Sequence, residues 1–107
     1  MLSHTVLFRL PRPLDPAQQA EFVAALHEFA ADAPPTAGPV TITTDLGLRD
    51  PASPRVADAS LSTTFSDIDA FTAYLDHPRH QAIVTEVLEP SGVTWLSMQA
   101  QGETSPT

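Results

Sequence analysis

Hydrophobic and polar positions alternate at the start of the chain. His4, Val6, Phe8 and Leu10 fall on one face of an extended segment and Thr5, Leu7 and Arg9 on the other, which predicts a strand over His4–Leu10. Both faces carry apolar groups, so the strand asks for cover on both. Pro11-Arg12-Pro13 ends it, and the period then changes from two to 3.6. Asp15 reads as an N-cap, Pro16 as the first helical residue and Gln18 as the third position of a capping-box variant. The helix runs to about Ala31, with Phe22, Leu26 and Phe29 on one face, Glu21 and Glu28 turned away, and His27 off the stripe as a solvated side chain. After the proline-rich loop 32–39, alternation returns over Val40–Leu46 and Ala59–Phe65. The connection Gly47–Asp58, with Pro51 and Pro54, is long for a compact domain and reads equally as a lid or a tolerated insertion.

Ser66 or Asp67 caps a second helix, whose apolar face is predicted to hold Ile68, Phe71, Thr72 and Leu75. Pro78 cannot continue a regular helix but suits the first turn of a new one, so the break falls at His77. The next segment, Arg79–Leu88, puts Ile83, Val84, Val87 and Leu88 on one side, and Glu89-Pro90-Ser91-Gly92 closes it. Val93–Gln101 is the fourth strand, with Val93 and Trp95 opposite Leu96, Met98 and Ala100, and 102–107 reads as a polar tail.

The order is βαββαβ, a ferredoxin-like α+β domain over residues 1–101 with a four-stranded antiparallel sheet and its helices on one face. The apolar groups on the other face predict a homodimer in which two sheets meet and enclose a dimeric α+β barrel. Composition narrows the chemistry. With no cysteine, and arginine supplying all five basic residues, thiolate nucleophiles, disulfides and lysine Schiff bases are excluded. A net charge of −8 argues against a nucleic-acid partner, which needs a basic stripe. No apolar run is long enough for a membrane span and no signal-peptide pattern opens the chain, so the expected location is the cytoplasm.

Two of four histidines and the only tyrosine fall within Tyr74-Leu75-Asp76-His77-Pro78-Arg79-His80. Three proton-handling side chains at a helix junction mark the candidate site. This stretch, with His4-Thr5-Val6-Leu7-Phe8-Arg9-Leu10 and the Phe65-Ser66-Asp67 turn, resembles the stress-responsive A/B barrel (Dabb) family across nearly the whole chain. The resemblance implies a dimeric α+β barrel. It further points to a cyclase branch that includes the plant olivetolic acid cyclase. There a tyrosine and the second histidine of His-Pro-x-His act on a polyketide, which carries over to Tyr74 and His80, and an early strand histidine carries over to His4. The sequence departs from that branch at Ala59, where a further histidine would stand, so the substrate does not transfer.

In chemical terms, His80 is the expected general base and Tyr74 the donor to a developing enolate or alkoxide, which suffices for cyclase, lyase or isomerase-type chemistry without a cofactor. The ligand is expected to be small, largely apolar and oxygen-bearing, with Val6, Phe8, Phe22, Leu26 and Leu61 as walls and His77 as a further contact. The structural readings stand beside these: His77 and His80 as caps of the helix break, Tyr74 as a core tyrosine, and His4 as a hydrogen-bonded strand residue. His77, His80 and Asp76 could form only part of a metal site, and no metal is expected. A non-enzymatic stress-responsive ligand-binding dimer, and a cofactor-free monooxygenase or haem-handling barrel, are the alternative functions.

Overall fold

The computed structural model describes residues 1–101; the expected tail at 102–107 lies outside the described residues. Strands β1 (Leu2–Arg9), β2 (Thr41–Thr44), β3 (Ala59–Phe65) and β4 (Thr94–Gln101) form one antiparallel sheet in the order β2-β3-β1-β4. Helices α1 (Pro16–Ala31), α2 (Ile68–Asp76) and α3 (Pro78–Ile83) accompany it. A π-helical turn, Val84–Leu88, and a closing turn, Glu89–Ser91, extend α3. The turn widens just before Pro90, whose ring nitrogen has no hydrogen to give an α-helical ladder. Gly92 then takes the left-handed conformation, φ 72°, that ends the segment. Among the described residues no helix is long and apolar enough to cross a membrane.

Local chemistry explains most of the element ends. Asp15 Oδ1 accepts from the amides of Ala17 (2.9 Å) and Gln18 (3.5 Å), and Asp67 Oδ1 from that of Ala70 (2.8 Å), so both helices start on capping carboxylates. The capping box is not completed: the Gln18 side chain donates to the Ser91 carbonyl at 3.0 Å and ties α1 to the closing turn. Phe22, Leu26 and Phe29 are the buried residues of α1, each contributing about 2 kcal/mol by leaving water. On α2 the buried residue is Tyr74, while Ile68 is 64% exposed and Thr72 and Leu75 are also exposed. The expected apolar stripe is therefore rotated: the nine-residue helix lays Tyr74, Phe71 and Ala70 on the core. Strand β2 is shorter than Val40–Leu46, because its one neighbour, β3, begins at Ala59 opposite Thr44.

The side chains of β1 alternate strictly. Leu2, His4, Val6 and Phe8 are buried under the helices, and Ser3, Thr5 and Leu7 point the other way. Pairing in register brings Leu7 beside Ser60 and Leu96, and Thr5 beside Ser62 and Met98. The bare face is thus hydroxyl-rich, with an apolar corner of Leu7, Leu96 and Met98, all exposed.

The sheet is open, and this corrects the expected barrel. Its edges, β2 and β4, are separated by β3 and β1, and the molecule is a slab of 41 × 40 × 18 Å. The expected barrel draws about eight strands from two sheets; the four strands described here make one open sheet. The core and the cavity described below lie between the sheet and its own helices, not between two sheets.

The connection Gly47–Asp58 is held at several points. Arg12 Nε donates to the Pro51 carbonyl (2.8 Å) and Arg9 Nη1 to that of Val56 (2.6 Å). Asp58, 3% exposed, accepts from the Leu10 amide (2.7 Å) and from two nitrogens of Arg12 (2.8 and 2.9 Å). The bond to its amide draws Leu10 out of the ladder, so β1 ends at Arg9. None of this connection lines the helix-side cavity, so it forms no lid there.

Candidate active site

A cavity of about 260 Å³ lies between β1 and β4 on one side and α2, α3 and the π-helical turn on the other. Its volume is just below the range that drug-sized ligand sites occupy, which suits a compact ligand. The walls are mostly apolar and include Val6, Phe8, Leu26, Leu61, Ile83 and Leu88. The mouth is at strand β4, where Trp95, Ser97 and Gln99 line the cavity and remain exposed.

Three proton-handling side chains meet in it: His4, Tyr74 and His80. His4 comes from the helix-facing row of β1. Tyr74 comes from the last turn of α2, and His80 from the first turn of α3. The joint between those helices is built by His77, whose Nδ1 accepts from the Arg79 amide at 3.1 Å and so caps α3 at Pro78. The rings of Tyr74 and His80 are 4.7 Å apart between centroids, and those of His4 and Tyr74 5.8 Å. Phe65 and Phe71 pack edge-on against each other at 5.3 Å and flank the group.

Burial controls the electrostatics. It pushes the Tyr74 phenol up to about 12, so at neutral pH the hydroxyl keeps its proton. It also lowers both histidines below the ordinary value. In His4 a repulsion from His80 adds to the effect, while in His80 a hydrogen bond to the Leu75 backbone opposes it. Neutral His80 keeps a ring-nitrogen lone pair that can accept a proton. His4 is held differently, by a 2.8 Å contact between its Nδ1 and Gln99 Nε2. Tyr74 Oη has no hydrogen-bond partner among the described residues, and no sealed side-chain polar atom there lacks one. The hydroxyl therefore opens on the cavity. The arrangement can remove a proton from a bound molecule and hydrogen-bond the oxygen on which charge develops.

Of the expected walls, Val6, Phe8, Leu26 and Leu61 line the cavity. Phe22 does not; it packs behind Phe8 with ring centroids 5.4 Å apart. His77 is outside the lining and occupied as a cap. Sequence reasoning missed Gln99, Ser97 and Trp95 as site residues. Their signal is the strand pairing His4↔Gln99, Val6↔Ser97 and Phe8↔Trp95, which sets them on the same face as three residues already suspected. Among the described residues no three His, Asp or Glu side chains converge as metal ligands.

A ferredoxin-like α+β domain with a small, mostly apolar cavity and three converging proton-handling groups defines the class. Residues 2–98 match the Stress responsive A/B Barrel Domain (Dabb), and the chain belongs to that family. Solved structures share the fold. A Dabb family protein with a ferredoxin-like fold from Mesorhizobium loti is 21% identical, with 96% of this chain and 97% of that one covered and a TM-score of 0.74. A dimeric ferredoxin-like protein of unknown function from Thermobifida fusca is 25% identical over 92% and 88% of the two chains, at 0.71. A hydroxynitrile lyase from Passiflora edulis is 20% identical over 98% and 96%, at 0.69. No curated protein matches. Family and fold are consistent with small-molecule binding or catalysis, and neither singles out a cyclase branch.

Proposed function

We propose that the protein is a cytoplasmic, cofactor-free enzyme that processes a small, largely apolar, oxygen-bearing molecule by acid–base chemistry, of cyclase, lyase or isomerase type. The observation that carries this reading is the pairing of a neutral imidazole, His80, with a protonated phenol, Tyr74, at 4.7 Å in an otherwise apolar cavity. His80 takes the proton from a carbon next to a carbonyl, and the C–H electron pair moves into the enolate. Tyr74 and His4 hydrogen-bond the enolate oxygen. Where a C=C bond adjoins the deprotonated carbon, the dienolate takes the proton back at its far carbon; otherwise the enolate attacks a second carbonyl of the same molecule and the resulting alkoxide takes it. In either case the imidazolium returns its proton to the product, so no oxidant or reductant is consumed. The lyase similar to this chain in fold adds support at the level of reaction class.

Deuterium uptake from D2O at the carbon next to a carbonyl, followed by proton NMR over a panel of small aryl and alkyl ketones, tests the first step. Uptake is expected for ligands that bind, falling about 100-fold or more in His80→Ala and to a lesser degree in Tyr74→Phe. The His80 pKa is lowered, so the rate climbs with pH through a value below 6.5 and levels off above it. Bound ketones that exchange no faster than in buffer would sink the mechanism.

We also propose a homodimer joined through the bare sheet face. The exposed corner of Leu7, Leu96 and Met98 and the dimeric relative from Thermobifida fusca support it. Sedimentation should give twice the chain mass, and Leu96→Glu with Met98→Glu should halve it; a monomer before substitution refutes the proposal.

A further inference from the structure

The cavity holds two imidazoles, and acid–base chemistry needs them to differ: one must present a lone pair and the other a proton. His4 is buried and His80 half-buried, both pack against the Tyr74 ring, and burial disfavours the charged form of each, so burial alone does not assign their roles. The hydrogen-bond partner of His4 does. We propose that Gln99 is a positioning residue that fixes the proton of His4 on Nε2 and so makes His4 the hydrogen-bond donor of the site, leaving His80 as its base.

The geometry runs through the strand ladder. His4 on β1 and Gln99 on β4 are directly opposed partners in the antiparallel register, which sets their side chains side by side on the helix-facing side of the sheet. The amide nitrogen of Gln99 is 2.8 Å from His4 Nδ1. An amide NH2 only donates, so Nδ1 is the acceptor and the single ring proton of neutral His4 is on Nε2. Nε2 has no hydrogen-bond partner among the described residues, and no sealed polar atom there lacks one, so this N–H also opens on the cavity. The groups that face His4 from the elements packed on it are Gln99 from β4, Tyr74 from α2 and His80 from α3. None carries a negative charge at neutral pH, and nothing there draws a second proton onto His4. Gln99 is exposed on an edge strand, so it can be exchanged without opening the core.

This assignment rests on reading the cavity as an acid–base site, but its test needs no substrate. Imidazole 15N resonances of the folded protein, recorded by long-range 1H–15N correlation, report which ring nitrogen carries the proton. For His4 the expected pattern is a pyridine-like Nδ1 and a pyrrole-like Nε2, widely separated. Gln99→Met keeps the side-chain length and removes the donor, and the two resonances should move toward each other as the tautomers mix. Gln99→Glu substitutes an acceptor, which should exchange the assignments and raise the pKa of His4 by about one to three pH units. A pyrrole-like Nδ1 in the unaltered protein, or a His4 pattern unmoved in Gln99→Met, overturns the proposal. A role for Gln99 in strand pairing alone would change stability and leave these resonances in place. If the His4 pattern is as expected and no ketone exchanges deuterium, the positioning role stands and the acid–base function falls.

Discussion

Two regions of this small domain bury polar groups, and they treat them in opposite ways. At the foot of the Gly47–Asp58 connection, the Asp58 carboxylate accepts three hydrogen bonds, from the Leu10 amide and the two Arg12 nitrogens, and the Asp58 amide donates to the Phe8 carbonyl at 2.7 Å. Its hydrogen-bonding capacity is used within the protein. In the helix-side cavity, Tyr74 and His4 are 2% and 5% exposed, yet each keeps a polar atom turned to open space. A buried polar group that is fully bonded holds the chain together; one left open toward a cavity is available to a ligand. Burial alone would have ranked Asp58 with the site, and the bonding pattern separates it.

The sharpest way to break the comparison is at Asp58. Asp58→Ala leaves the Arg12 guanidinium and the Leu10 amide without their partner in a mostly dry setting, and should cost about 3 kcal/mol of unfolding free energy in a denaturant titration. A cost near zero would mean that the bonds around Asp58 hold nothing. Acid provides a second view of the same group. Burial by itself raises the Asp58 carboxyl, but the Arg12 hydrogen bond, the Leu10 amide and the charges of Arg12 and Arg9 outweigh it, so the folded group titrates below its ordinary 3.8. Its stabilisation is therefore present above that ordinary value and is lost as pH falls through the lower folded one. In Asp58→Ala this component of acid unfolding should disappear.

The smallest expected effect lies on the other side. Tyr74→Phe removes a hydroxyl that bonds to no other described residue, so its unfolding free energy should stay within about 0.5 kcal/mol of the parent. A loss above about 1.5 kcal/mol would show the phenol to be a structural bond, and the contrast between the two regions would collapse.

Local signals were well written in the sequence. The alternation in β1 and β3, the capping carboxylates Asp15 and Asp67, and the break at His77-Pro78 each depend on a few neighbouring residues, and the structure follows them. Tyr74, His80 and His4 were also legible as candidates, and they converge. What was not legible depends on partners distant along the chain. The Asp58 hydrogen bonds span 46 and 48 residues and the Gln99 contact spans 95, so no local pattern announces either. The buried face of α2 went to Tyr74 because a helix of nine residues is rotated by what it packs on, here Phe29, Phe65 and His4, more than by its own periodicity. The barrel expectation failed for a related reason. Alternation tells which residues share a face, and not whether a second sheet closes over it; the four-stranded sheet is open.

Trp95 is the chain's only tryptophan and forms part of the cavity mouth, 44% exposed. The protein therefore carries an intrinsic optical gauge of occupancy. A molecule seated at the mouth takes the indole ring out of water, and its emission moves to shorter wavelength with no competing fluorophore of the same kind to obscure it. Ligands can be screened by that colour change, without a label and before any reaction is known.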